Sequence, residues 1–246
     1  MNDYQKNGFV HVPGFLDTKQ ISSLLSVATR FHRCWLSENE EFYYSKAVNS
    51  AYLTLPGYLS EDDRTTLFQV IGSNELKLVA GQIFSESPIF MNTQLFFNPN
   101  NANQKNYWHR DPQYHLTVAQ QKIALSGPDV VHFRLALKDE LGIEVIPGSH
   151  KNWDTKEQLD VRLAENGKVV SDDLKEGVRL PLKAGDLLVF SANMIHRGLY
   201  GLDRFALDIL LCENAPQLQS FINYDVYPTS TARALLPWPD VFEHDI

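Results

Sequence analysis

The sequence predicts a mainly β fold, a jelly roll with helices packed outside it, and two observations carry that expectation. From about Pro88 onward, short runs rich in β-branched and aromatic residues follow one another: I-F-M-N-T-Q-L-F-F, V-V-H-F-R-L-A-L, G-I-E-V-I, D-L-L-V-F and R-F-A-L-D-I-L-L. Between them stand turn-forming clusters, Asn98-Pro99-Asn100-Asn101, Ser126-Gly127-Pro128-Asp129, Pro147-Gly148 and Ala184-Gly185-Asp186. In the first third of the chain, by contrast, apolar residues recur at helical spacing.

Taken in order, F-V-H-V-P-G-F-L reads as a short strand closed by Pro13-Gly14. Asp17 is an N-cap for a helix from Thr18 to about Trp35, with Ile21, Leu24, Leu25, Ala28 and Phe31 on one side. A second amphipathic helix is expected from Glu61 to Val79, around Leu67, Val70 and Ile71. The polar segment from about Asn152 to Glu176 interrupts the strands and reads as a partly helical insertion over one rim. A chain of 246 residues, 43% of them hydrophobic, fits one domain spanning 1–246, since no Pro/Gly/Ser-rich linker divides it. Its helical part runs over about 1–85 and its β core over about 88–215.

Composition excludes several classes of function. A net charge of -8, with 22 basic against 30 acidic residues, argues against nucleic acid as a partner. The start, M-N-D-Y-Q-K-N-G-F, lacks the layout of a signal peptide, and no run approaches the ~18 apolar residues of a membrane span. Only Cys34 and Cys212 are present, which predicts no disulfide framework and a reducing, cytoplasmic setting.

The chemistry concentrates in Y-W-H-R-D-P-Q-Y-H, residues 107–115. In extended backbone, side chains two apart leave the same face, so His109 and Asp111 can reach one metal ion. A single H-x-D is a common coincidence in a chain with eight histidines, and a surface pair is the alternative. His196, just past D-L-L-V-F, adds a third donor. Two imidazoles and one carboxylate are the facial triad of non-haem Fe(II) oxygenases, with three positions open for a bidentate 2-oxo acid and O2. Arg204, eight residues later, lies on a strand face with Ala206, Asp208 and Leu210. A guanidinium aimed into a barrel needs an anion, and the far carboxylate of 2-oxoglutarate would supply one. The alternative is a surface pair of Arg204 with Asp203 or Asp208.

With these motifs in order, the chain resembles the phytanoyl-CoA dioxygenase family of Fe(II)/2-oxoglutarate oxygenases. The resemblance rests on Y-Q-K-N-G-F-V-H-V-P-G-F-L-D, W-H-R-D, G-I-E-V-I-P-G-S-H-K, A-G-D-L-L-V-F-S-A-N-M-I-H-R-G and Arg204. It implies a double-stranded β-helix, cupin-like, with N-terminal and flanking helices. It implies that His109, Asp111 and His196 bind iron as the catalytic centre and that Arg204 anchors 2-oxoglutarate. Gln94 and Asn98 match in spacing a 2-oxoglutarate-contacting pair of the ectoine hydroxylase branch; otherwise they are a strand-edge amide and a turn residue. Gly198 stands where some relatives carry a cofactor-contacting Ser, and the His196–Arg204 spacing is shorter than in several. Halogenating relatives lack the metal carboxylate, so Asp111 points to hydroxylation, or another oxidation such as desaturation, ring closure or epoxidation, of an unactivated C–H, with release of succinate and CO2.

Tyr107, Arg110, Gln113, His115, Arg134 and Arg197 are candidate substrate contacts, and Asn106 and Tyr200 border the same mouth. A solvated rim is the alternative for each. Trp108 reads as core. His132 reads as a satisfied core histidine, His150 as part of a structural turn, and His11, His32 and His244 as surface or packing residues. A small polar metabolite or natural-product intermediate is the expected substrate, since no basic patch awaits the phosphates of a CoA thioester. Two other classes remain at this stage: a cupin-like metal enzyme without a 2-oxo acid, and a non-catalytic small-molecule-binding barrel.

Overall fold

The computed structural model describes residues 3–243; His244 lies outside them. The strands are β1 (Phe9–Val12), β2 (Asn49–Ala51), β3 (Ile89–Phe97), β4 (Val130–Ala136), β5 (Glu140–Val145), β6 (Val178–Leu182), β7 (Leu187–Ser191), β8 (His196–Gly198) and β9 (Phe205–Cys212). They form a six-stranded antiparallel sheet in the order β1-β7-β4-β9-β3-β2 and a three-stranded antiparallel sheet in the order β6-β5-β8. The two sheets face each other as the halves of a double-stranded β-helix. Ala136, Leu188 and Phe190 of the larger meet Ile143, Val145 and Leu182 of the smaller in one apolar cluster.

The helices that matter for packing are α1 (Asp3–Asn7), α2 (Thr18–Glu38), α3 (Glu40–Ser45), α4 (Glu61–Ile71) and α5 (Asn74–Ile83). Asp17 opens α2 through a reciprocal capping box with Gln20, and the helix runs three residues past Trp35. The single helix expected over 61–79 is two. Gly72 ends α4 and Ser73 caps α5 by accepting from the Leu76 N–H, so a break falls inside a continuous apolar pattern. The N-terminal part also gives β1 and β2 to the edges of the large sheet.

Alternation along the strands divides the large sheet into two faces. Val131, Phe133, Leu135, Leu207, Ile209 and Leu211 point outward into one core with Leu24, Phe31, Leu67, Phe68 and Leu76 of the helices. The opposite row, Leu188–Arg134–Asp208–Gln94, crosses β7, β4, β9 and β3 in register and points into the barrel. In the small sheet, Gly142 has φ 74° and sits against the next strand; a Cβ there would lie 1.8 Å from the Leu180 carbonyl oxygen. Only glycine permits that bulge beside Glu140. The 152–176 insertion carries one helix, Lys156–Leu163. It is tied to the barrel where Val170 accepts from the Trp108 backbone N–H and Asp172 accepts from its indole. No described helix is long and apolar enough to cross a membrane.

Candidate active site

His109 lies directly opposite His196, each backbone N–H donating to the other's carbonyl at 2.9 Å. Asp111 is held next to them by its own N–H, donated to Ala192. It begins a tight turn, Asp111–Tyr114, started by Pro112. The extended backbone through 109–111 therefore puts both side chains toward β8. Ligand atoms of His109, Asp111 and His196 all lie within 4.8 Å of one another. The Oδ1 atom of Asp111 is 3.4 Å from His109 Nε2 and 3.7 Å from His196 Nε2.

The tautomers follow from the partners. His109 Nδ1 donates to the Tyr107 carbonyl at 3.1 Å, and His196 Nδ1 to the Met194 carbonyl at 3.0 Å. A carbonyl only accepts, so each Nε2 carries a lone pair facing the cluster. Burial pushes His196 down to about 3, which keeps its imidazole neutral as a ligand must be. Burial opposes ionisation of Asp111, yet the imidazoles around it outweigh burial and hold the carboxyl well below its ordinary range.

Behind the triad runs a buried polar chain. His132 Nε2 is 2.7 Å from Asp111 Oδ2, and its Nδ1 is 3.0 Å from Asp208 Oδ2. Burial opposes protonation of His132, but the two carboxylates together raise it to about 9. Arg134 donates to Asp208 at 3.0 Å and, from two nitrogens, to Glu140. Glu140 Oε2 in turn lies 3.5 Å from Arg204 Nε.

Arg204 ends this buried network beside Glu140, within ion-pair distance but without a hydrogen bond from its Nε. Its side chain is 2% exposed. Asp203 and Asp208, its alternative partners by sequence, pair with Lys138 and with His132 and Arg134 instead. The guanidinium lies between the rings of Phe96 and Tyr200, at 5.4 and 5.6 Å. Burial and the nearby Arg134 charge lower it to about 10, an environment that calls for an anion. It also packs against Gly198, where a Cβ would stand 2.6 Å from Nη2. His196 and Gly198 share one face of β8, about 6.6 Å apart along a strand. That spacing suits a short dicarboxylate held at one end by a metal and at the other by Arg204. The nitrogen and oxygen donors suit ferrous iron, and the incompletely hydrogen-bonded guanidinium suits 2-oxoglutarate.

The remaining candidates are placed differently. Gln94 sits on the inner face of β3, opposite Asp208 and half-buried. The amide of Asn98 is engaged by the loop before Arg204, accepting from Gly201 and donating to Leu202. Tyr107 lies beside the triad, its ring 5.1 Å from that of His109.

The three arginines expected at the mouth are each enclosed by protein partners. Arg110 is enclosed by Asp154 and the carbonyls of Ser149, Asn152 and Asn193. Arg134 is consumed by Glu140 and Asp208. Arg197, next to His196, necessarily faces outward, onto Glu144, Asp173 and the Trp108 ring. Gln113 accepts from Arg162 and from the Arg110 backbone, and His115 is exposed beside Phe221.

Trp108 is fully buried, in a cluster with Ile146 and Ile195. His150 is buried under the N-terminal segment, against Gly8. His11, on edge strand β1, pairs with Asp186, and His32 packs on Trp35 and Phe97. Tyr114, absent from the sequence candidates, has its ring 5.7 Å from His109. The signal for it was an aromatic three residues after Asp111. His132 is a satisfied buried histidine, as expected, but what satisfies it is the triad's carboxylate.

Comparison with known proteins agrees with this geometry. The family model described as phytanoyl-CoA dioxygenase (PhyH) matches residues 4–199. No curated protein sequence matches the chain. AviO1 from Streptomyces viridochromogenes Tue57 superposes with a TM-score of 0.61 at 20% identity, over 87% of this chain and 93% of that one. EctD from S. alaskensis gives 0.60 at 12% identity, over 86% and 75%. SnoN, described as a non-heme alpha ketoglutarate dependent epimerase from nogalamycin biosynthesis, gives 0.58 at 19%, over 86% and 79%. At these identities the superpositions establish the fold. The family match, spanning most of the chain and the strands that carry the triad, establishes membership: the protein belongs to the phytanoyl-CoA dioxygenase family.

Proposed function

We propose that the protein is a non-haem Fe(II)- and 2-oxoglutarate-dependent oxygenase that hydroxylates an unactivated C–H bond of a small molecule. The observation that carries this reading is the pairing of a three-ligand cluster with a buried, anion-seeking Arg204 on the same side of β8. His109, Asp111 and His196 would hold the metal, and Arg204 the distal carboxylate of 2-oxoglutarate, with Gln94 on the adjacent wall. SnoN has been crystallised with Fe3+, alpha ketoglutarate and nogalamycin RO, and EctD with 2-oxoglutarate and 5-hydroxyectoine. A metal enzyme using no 2-oxo acid would leave Arg204 with only Glu140, which Arg134 already engages, as its carboxylate partner.

When bound, iron and 2-oxoglutarate supply an oxidative decarboxylation that turns O2 into an oxidant strong enough for C–H bonds. The chain's part is placement. The carbonyls of Tyr107 and Met194 aim the two Nε2 lone pairs, and the buried chain from His132 to Glu140 fixes Asp111 and Arg204 against one another. Phe190, its ring 5.2 Å from that of His196, keeps water from the inner side. Tyr107, Tyr114 and Tyr200 form an aromatic mouth suited to a compact small molecule rather than to a phosphate-bearing thioester. The epimerase SnoN and the carbocyclase SnoK share this fold, so product analysis decides between hydroxylation and its alternatives.

Anaerobic addition of Fe(II) and 2-oxoglutarate tests the reading. A visible metal-to-ligand charge-transfer band is expected; its absence from folded protein contradicts the proposal. Succinate release across a metabolite set then identifies the substrate.

A further inference from the structure

Both carboxylate oxygens of Asp111 are engaged, in opposite directions. Oδ1 faces the imidazoles of His109 and His196 at 3.4 and 3.7 Å, while Oδ2 lies 2.7 Å from His132 Nε2. His132 is itself immobilised. Its Nδ1 meets Asp208, Asp208 is gripped by Arg134, and the imidazole stacks on Phe190 with centroids 4.6 Å apart and planes 12° from parallel. A ring fixed on every side cannot follow the carboxylate if it turns. Nor has it a nitrogen left for substrate.

We propose that His132 is a positioning residue that holds Oδ2 of Asp111, keeps the carboxylate a one-oxygen metal ligand, and so preserves the coordination position that O2 requires. The proposal rests on the reading of the triad as an Fe(II) site. Carboxylates bind divalent cations through one oxygen or two. Two imidazoles, one carboxylate oxygen and a two-point 2-oxo acid fill five of six octahedral positions, leaving one. A second Asp111 oxygen would take it. A short hydrogen bond to that oxygen from a rigid imidazole is strong, because its acceptor is charged and its donor cannot move away. Outer contacts of this kind orient ligands elsewhere, and losing them costs about 10- to 100-fold in affinity or activity. Here the loss would fall on the gas-binding position rather than on metal retention.

Nitric oxide, which occupies the O2 position of ferrous sites and gives a half-integer-spin EPR signal, reads this directly. Protein loaded with Fe(II) and 2-oxoglutarate without air is titrated with it. Wild type is expected to show both the charge-transfer band and the nitrosyl signal. His132→Phe is expected to keep the band but bind nitric oxide about tenfold more weakly or worse. His132→Gln, whose amide can donate to Oδ2, is expected to recover the signal. If His132→Phe does not fold, His132→Asn, too short to reach Asp111, replaces it against His132→Gln with the same expectation. Nitric oxide binding in His132→Phe or His132→Asn equal to wild type overturns the proposal. A wild type without the charge-transfer band overturns the reading of the site and the proposal with it, so the two failures are distinguishable.

Discussion

The two faces of the six-stranded sheet come from the same strands, one residue out of step, and they are equally dry. Val131, Phe133, Leu135, Leu207, Ile209 and Leu211 on the outer face are each at most 1% exposed; His132, Arg134 and Asp208 on the inner face are at most 2%. One face is hydrocarbon packed on helices, the other a chain of paired charges. Burying apolar area stabilises a fold by roughly 25 cal/mol per Å², whereas a buried ion pair roughly breaks even at best. Stability therefore accounts for the outer face and not for the inner one. The inner face is retained for what it holds in place, the Asp111 carboxylate at one end and the Arg204 guanidinium at the other.

That division is broken most completely by Asp111→Ala. It is expected to abolish Fe(II) binding, measured by equilibrium dialysis, while the fold, read by circular dichroism, persists. Arg204→Ala comes next. It removes the buried partner of an anion, so 2-oxoglutarate affinity is expected to fall by about a hundredfold or more while iron still binds. Calorimetric titration of metal-loaded protein checks this. On the other face, Phe133→Ala is expected to destabilise the protein by about 3–5 kcal/mol in denaturant unfolding, with 2-oxoglutarate affinity in the folded fraction unchanged.

Gly198→Ala sharpens the comparison on a smaller scale. Its methyl would press on Arg204 Nη2, so 2-oxoglutarate should bind about tenfold more weakly, or ~1.4 kcal/mol, without a matching loss of thermal stability.

A last test needs no substitution: the pH dependence of the metal-free protein. His196 and His150 are held down at about 3 and about 4 by burial, so their stabilising share is complete above the unfolded value of 6.5 and is lost as pH falls from there. His132, raised to about 9 against burial by its two carboxylates, contributes fully below 6.5 and loses that share as pH rises through 9. These three histidines together predict a melting temperature that peaks near pH 6.5; a flat profile from pH 5 to 9 would contradict them.

Much of this was readable in one dimension. The run I-F-M-N-T-Q-L-F-F is the strand Ile89–Phe97 residue for residue, and Asp17 caps its helix where its side-chain chemistry says it should. His109 and Asp111 share a face because of their spacing of two. What the sequence hid was pairing at a distance. Nothing near Arg110 or Arg197 reveals Asp154 or Glu144, and Glu140, only six residues after Arg134, meets it from the next strand, so three buried guanidiniums read as mouth residues. His132 was hidden likewise. Its alternation with Arg134 in V-V-H-F-R-L shows a polar inner face, but its partners sit 21 and 76 residues away. The helix break at Gly72-Ser73 was obscured because the apolar period continues across it.

The most direct test of the inner face as the holder of metal and co-substrate is a crystal structure with 2-oxoglutarate and Mn(II), an oxygen-tolerant stand-in for iron. The metal's anomalous signal is predicted between His109 Nε2, Asp111 Oδ1 and His196 Nε2, with His132 still on Oδ2 and the distal carboxylate of 2-oxoglutarate on Arg204. A metal held by other residues, or a dicarboxylate bound away from Arg204, would contradict the account.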